Sequence, residues 1–184
     1  MTTKEEKPQT QAQQDYAQGQ EFMKNKETAQ AAAAFHNALV GFEQDGDENG
    51  IANAADKLGD ICFEKKEFAK ALSYFERAYE ICHRNFDRYS LFSLERKKAK
   101  LYEEAGDHQK AINAYVEVID EYNALRDPQG AVNALETLAG IYLKLTNKEM
   151  AADCYRTIAS IHKNYKHNNF YKTYMEKAES ILAG

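Results

Sequence analysis

Apolar positions along the chain recur three and four residues apart. No segment alternates apolar and polar residues in the period-two pattern of a strand. Only two prolines and nine glycines interrupt 184 residues, so long helices are expected and an all-α chain is predicted. The pattern also repeats as a whole, with a period of forty residues. Gly19, Gly59, Ala99 and Ala139 form a column of the smallest residues, and Phe22, Cys62, Tyr102 and Tyr142 follow three positions on. Ala31, Ala71, Ala111 and Ala151 form a second small column. Four positions later come the rings Phe35, Phe75, Tyr115 and Tyr155, and three after those Ala38, Ala78, Val118 and Ile158. No insertion is needed to keep the five columns in step.

The columns have a direct packing meaning. Small residues let two antiparallel helices approach, and the rings fill the space beside them. Each unit therefore holds a helix A with the Gly/Ala column and a helix B with Ala, ring and small aliphatic at i, i+4, i+7, which is one face. Helix A is predicted near 11–24, 49–65, 89–105 and 129–145, and helix B near 28–45, 68–84, 108–125 and 148–164. Asp47, Asp87 and Asp127 stand in the B-to-A turns as N-caps or first-turn acids of the next helix.

Terminal units of an array look different because one face has no neighbour. Gln14, Gln18 and Glu21 make the first helix A polar where the second has Ala54, Leu58 and Ile61. At the other end Tyr174, Ala178, Ile181 and Leu182 continue the helix A stripe, and Glu179 falls in the Gly/Ala column. Residues 168–183 are therefore expected to be a capping helix.

These columns resemble the tetratricopeptide repeat (TPR) family. Leu58-Gly59 with Cys62, Ala71, Phe75 and Ala78 carry the likeness in the second unit, and register-equivalent residues carry it elsewhere. The forty-residue spacing is similar to the longer-helix type of kinesin light chains and Pins-type adaptors. Asp15, Ala55, Glu95 and Leu135 replace the family's tryptophan, and its closing proline is absent. The resemblance implies a right-handed α-solenoid of four TPR helix pairs plus the C-terminal capping helix. Residues 1–10 are expected to be a disordered tail ahead of a TPR domain over 11–184. Its repeats run about 12–51, 52–91, 92–131 and 132–167.

The net charge of −5 provides no basic field for a polyanion, which argues against nucleic acid. No apolar run reaches the roughly 20 residues that cross a bilayer, and the polar start lacks a signal peptide's apolar core. A cytoplasmic protein without membrane partners is expected. Cys62, Cys82 and Cys154 form no C-x-x-C pair and read as free, mostly buried thiols. The five histidines show no HExxH arrangement, and there is no G-x-S-x-G or phosphate-binding glycine loop. His162 reads as a packing residue, Glu103-Glu104 as a solvated helix end, and Lys98 as a lysine snorkelling out of an apolar column. The expectation is a non-enzyme with no cofactor and no metal.

In the resembling family helix A lines the concave side of the array, and that implies a groove for a protein or peptide partner. The candidate groove residues are Tyr16, Gln20, Asn53, Asp56, Asp60, Phe63, Arg96, Lys100, Asn133 and Glu136. Two roles remain open for the charges, mutual pairing of Asp56 and Asp60 with Arg96 and Lys100, or contact with a peptide backbone. The carboxylate-gripping set of chaperone cofactors is not matched, since Tyr16, Gln20, Lys57 and Ser93 occupy its positions and only Lys97 keeps its charge. An interaction scaffold is the leading reading. Self-association through Tyr171, Tyr174 and Met175 of the cap, or a peptide-sensing regulator, are the alternatives.

Overall fold

The computed structural model describes residues 9–183, and the N-terminal tail expected over 1–10 lies outside them up to residue 8. The described residues form nine α-helices and no strand. The A helices are α1 (Gln11–Lys24), α3 (Glu48–Glu64), α5 (Arg88–Glu104) and α7 (Pro128–Lys144). The B helices are α2 (Thr28–Asp45), α4 (Phe68–Arg84), α6 (His108–Ala124) and α8 (Lys148–Asn164), and α9 (Asn168–Ala183) is the cap. Every boundary falls within one residue of its expected place.

The turns explain this regularity. A left-handed residue follows each of α1 to α8, at Lys26, Gly46, Lys66, Phe86, Gly106, Arg126, Thr146 and Lys166, one every twenty residues. The amide after each of these donates to a carbonyl five residues back, at 2.8 to 3.0 Å, and this Schellman bond satisfies a helix end that would otherwise be orphaned. The carbonyls belong to Phe22, Phe42, Cys62, Cys82, Tyr102, Tyr122, Tyr142 and His162, a ring or a cysteine at each step. The residue that closes one helix also caps the next. Asp47, Asp87, Asp107, Asp127 and Asn147 accept the amide three residues on through their side chains, at 2.9 to 3.2 Å. Glu27 and Glu67, one methylene longer, make no side-chain cap and instead hold Gln30 and Lys70.

Only two of the eight left-handed residues are glycine. For the other six the Cβ opposes this conformation at a cost of roughly 1–2 kcal/mol, most severely for a β-branched side chain. Thr146, at φ 58° and exposed, is the extreme case. Thr146→Gly keeps the amide bond to Leu143 and is expected to raise stability by about 1 kcal/mol. A higher urea midpoint at unchanged slope is the readout.

The chain divides inside α5 into two compact units, Met1–Leu94 and Glu95–Gly184. In the first, α1 packs on α2, α2 on α3 and α3 on α4. Its core holds Ala31, Phe35, Ala38, Leu39, Phe42, Ala54, Leu58 and Ile61. In the second, α6 packs on α7, α7 on α8 and α8 on α9, around Leu135, Leu138, Tyr142, Tyr155, Ile158 and Ala178. The small columns do what their spacing predicts. A Cβ placed on Gly59 would stand 2.5 Å from the Phe75 ring, and one on Gly19 would stand 2.8 Å from Phe35. No polar or charged side chain is fully buried among the described residues, and Lys98 is only half-buried.

Candidate functional site

In the first unit the helix A faces bring together several residues picked out by the sequence. Burial, and after it the Asp56 carboxylate, raises the Tyr16 phenol above its ordinary pKa; Asp60 pushes the same way, and a hydrogen bond from Gln20 opposes them. Tyr16 is less open than a groove residue should be. Its ring packs 5.3 Å from Phe35 and 6.3 Å from Phe42, so that α1 uses this side chain to close the core it shares with α2. Asp56 and Asp60 lie on either side of Lys57, 3.7 and 3.9 Å from its Nζ. Pairs this accessible are held in place weakly, each contributing about 0–1 kcal/mol. Phe63 tilts against Phe68 at 6.1 Å and is half-buried.

The same unit contains a cleft of about 60 Å³ lined by Ala52, Asn53, Asp56, Ala78, Cys82, Ser90, Ser93 and Leu94. Its origin is a packing vacancy written in two columns. Phe42 and Tyr122 each press a ring on a glycine, so that a Cβ at Gly50 would meet Phe42 at 2.4 Å and one at Gly130 would meet Tyr122 at 2.2 Å. His162 stacks 4.9 Å from Phe170, which is the same pair of register positions one repeat later. The second repeat has Cys82 and Ser90 there instead, and neither fills the space. The space opens beside Asn53 and Asp56, giving an apolar floor with an amide, a carboxylate and two hydroxyls at its rim. Such a mixture suits a polar side chain or a stretch of peptide backbone. Burial, and then the Asp87 carboxylate, pushes the Cys82 thiol up in pKa against a hydrogen bond from Ser90, the opposite of the lowering that activates a thiol. Cys82, Ser90 and Ala52 were not foreseen as site residues. The signal was the one non-ring member in the column Phe42, Cys82, Tyr122 and His162.

In the second unit the candidates have structural partners. Glu136 accepts a hydrogen bond from the Tyr174 hydroxyl at 2.7 Å, which ties the cap to α7. Burial first, then this carboxylate, raises the Tyr174 phenol to about 12. Tyr174 also stacks on Tyr155, and Lys177 lies 4.2 Å over the Tyr155 ring. Tyr174, one of the three cap residues considered for self-association, thus packs on α8 within its own unit and is half-buried there. Arg96 lies 5.8 Å over Tyr122, Lys100 stands 3.9 Å from Glu104, and Asn133 accepts from Gln129 at 2.9 Å. Glu103 is not a purely solvated helix end. It accepts the Tyr115 hydroxyl at 2.7 Å, because the ring column of helix B brings a phenol to that position.

Cys62, Cys82 and Cys154 are free thiols. Among the described residues no group of three or more His, Cys, Asp or Glu is placed to hold a metal, and no helix is long and apolar enough to cross a membrane.

Known proteins place this architecture. No curated protein matches the chain in sequence. Among solved structures, apo RapI superposes with a TM-score of 0.76 at 16% identity, over 94% of this chain and 49% of that one. A Rap protein in complex with competence and sporulation factor gives 0.62 at 18% identity, over 86% and 46%. The TPR-like repeats of a kinesin-light-chain-type protein from Podosopora anserina give 0.52 at 14%, over 96% and 98%. The chain spans about half the length of the Rap proteins it matches. These likenesses show the fold, an all-α array of TPR-like helix pairs. The sequence model that matches, over residues 1–126, is that of soluble NSF attachment protein, SNAP, itself a helical-repeat family. More than half of the chain fits that model, and the chain is a member of the SNAP family.

Proposed function

We propose that this chain is an adaptor that binds a protein or peptide, and that Asn53, Asp56 and Asp60 with the cleft beside Cys82 make the principal contact. The cleft carries the reading: it is a concave site with an apolar floor and convergent polar groups, formed where one repeat lacks the ring its neighbours have. The family is one of attachment proteins by name, and a solved Rap relative is in complex with a factor, both in keeping with a binding role. The free thiols fit a reducing compartment such as the cytoplasm. Binding rather than catalysis is the activity assigned, with a protein as partner in preference to nucleic acid or membrane.

A photo-crosslinking residue at Ser93, on the cleft rim, should capture the partner from lysate of the source cell. Adding Asp56→Lys is expected to lower that yield about tenfold, equivalent to about 1.4 kcal/mol of lost binding. A crosslinker at Glu149, outside the cleft, should not capture the same partner. Undiminished yield with Asp56→Lys rejects this site.

A further inference from the structure

We propose that His162 and His167 form a two-imidazole chelate for a zinc-like divalent ion at the junction of α8 and α9. Their Nδ1 atoms face each other at 3.4 Å. Two nitrogens bound to one zinc at about 2.0–2.1 Å and a tetrahedral angle are about 3.4 Å apart, whereas octahedral coordination would bring them to about 2.9 Å. The 3.4 Å separation matches the tetrahedral spacing.

The fold supplies this bite through its repeated turn. Five residues separate the two positions, a spacing that puts side chains on different faces of a continuous helix. Here the helix ends at Asn164, Lys166 is left-handed at φ 60°, and the His167 amide donates to the His162 carbonyl at 2.9 Å. That closure folds position 167 back towards position 162. The other seven turns carry a ring or cysteine at the first position and Glu, Asp or Asn at the second, so only this turn has an imidazole at both.

The site is also held and accessible. His162 stacks on Phe170 at 4.9 Å and on Tyr174 at 5.4 Å, which fixes its ring before any ion arrives. His167 is exposed and borders an open cleft formed with Lys166, Asn168, Asn169 and Phe170, leaving room for water to complete the coordination shell. The nearest lysine of α8, Lys163, has its ammonium 5.5 Å over the Tyr171 ring. A plain N–H···N hydrogen bond between the two imidazoles is the competing account of the same distance.

Zinc chloride titrated into the tag-free chain at pH 7.5, followed by calorimetry, separates the two. One saturable ion per chain is expected, with His162→Gln and His167→Gln each weakening it by about tenfold or more. His83→Gln and Cys62→Ser, which remove a histidine and a half-buried thiol elsewhere, should leave it intact. His167 is exposed, so its variant keeps the fold, and the helical circular dichroism of both variants checks this. In the wild type, zinc should shift the imidazole NMR signals of His162 and His167 and no others. Absence of saturable binding, survival of the site in either variant, or shifts confined to other histidines would overturn the chelate and leave the hydrogen bond.

Discussion

Phe75→Ala is expected to cost about 3–5 kcal/mol, the largest effect of any single substitution considered. The ring is 1% exposed and lies in the core of the first unit, between the small columns of α3 and α4. Removing it forfeits the transfer free energy of a whole aromatic side chain. It also leaves a cavity that the small residues around it cannot fill, because Gly59, Ala71 and Ala78 have nothing to extend into the space. Urea unfolding followed by circular dichroism measures the loss. A change below about 1 kcal/mol would mean that the ring is not the keystone its burial indicates.

Gly59→Ala should be the second largest effect, and its sign is the informative part. In a helix interior this substitution ordinarily stabilises by about 0.8–1 kcal/mol, because alanine has less backbone entropy to lose. Here the new methyl would stand 2.5 Å from the buried Phe75 ring. A ring so enclosed cannot swing aside, and overpacking of this kind costs about 1–3 kcal/mol. The clash outweighs the propensity gain, and a net loss of about 1–2 kcal/mol is expected. Gly140 serves as the internal control. It lies inside α7, one turn before its end, with nothing within 4 Å of its would-be Cβ, so Gly140→Ala should stabilise by about 0.5–1 kcal/mol. Equal shifts for the two variants in one denaturation series would rule out the close approach. Adding Phe75→Leu to Gly59→Ala should relieve part of the damage, and a double-mutant cycle reads that coupling directly.

The sequence made the helices legible to within a residue because packing columns are redundant. Four repeats state each requirement four times, and the Gly19 and Gly59 column is a steric necessity that only small residues satisfy. The turns were half legible. Asp47, Asp87 and Asp127 announce caps, whereas Asp107 and Asn147 announce only short turns, and the twenty-residue spacing stayed hidden. Its left-handed positions are filled by lysine, phenylalanine, arginine and threonine, residues that give no hint of positive φ. The site was less legible still. Tyr16 and Glu136 occupy groove rows by register, yet one closes the core beside Phe35 and the other holds Tyr174, partners on neighbouring helices that register alone does not name. Asn53 and Asp56 do border a cleft, but the cleft itself comes from what Cys82 and Ser90 fail to fill. A vacancy in a column is a weaker signal than an occupant.

The twenty-residue beat of the turns also bears on how the chain reaches its fold. Within each unit successive helices dock on one another, α2 on α1, α3 on α2 and α4 on α3 in the first, and α7 on α6, α8 on α7 and α9 on α8 in the second. Almost every native contact can therefore form by closing a short stretch of chain, at little entropic cost. Chains dominated by near-neighbour contacts fold in microseconds to milliseconds, far faster than proteins that must first bring distant strands together. Growth can begin at any helix pair and proceed in either direction. The first pair to form should be whichever has the tightest ring-on-glycine contact, and by that measure the α6–α7 pair, where Tyr122 presses on Gly130, is a natural nucleus.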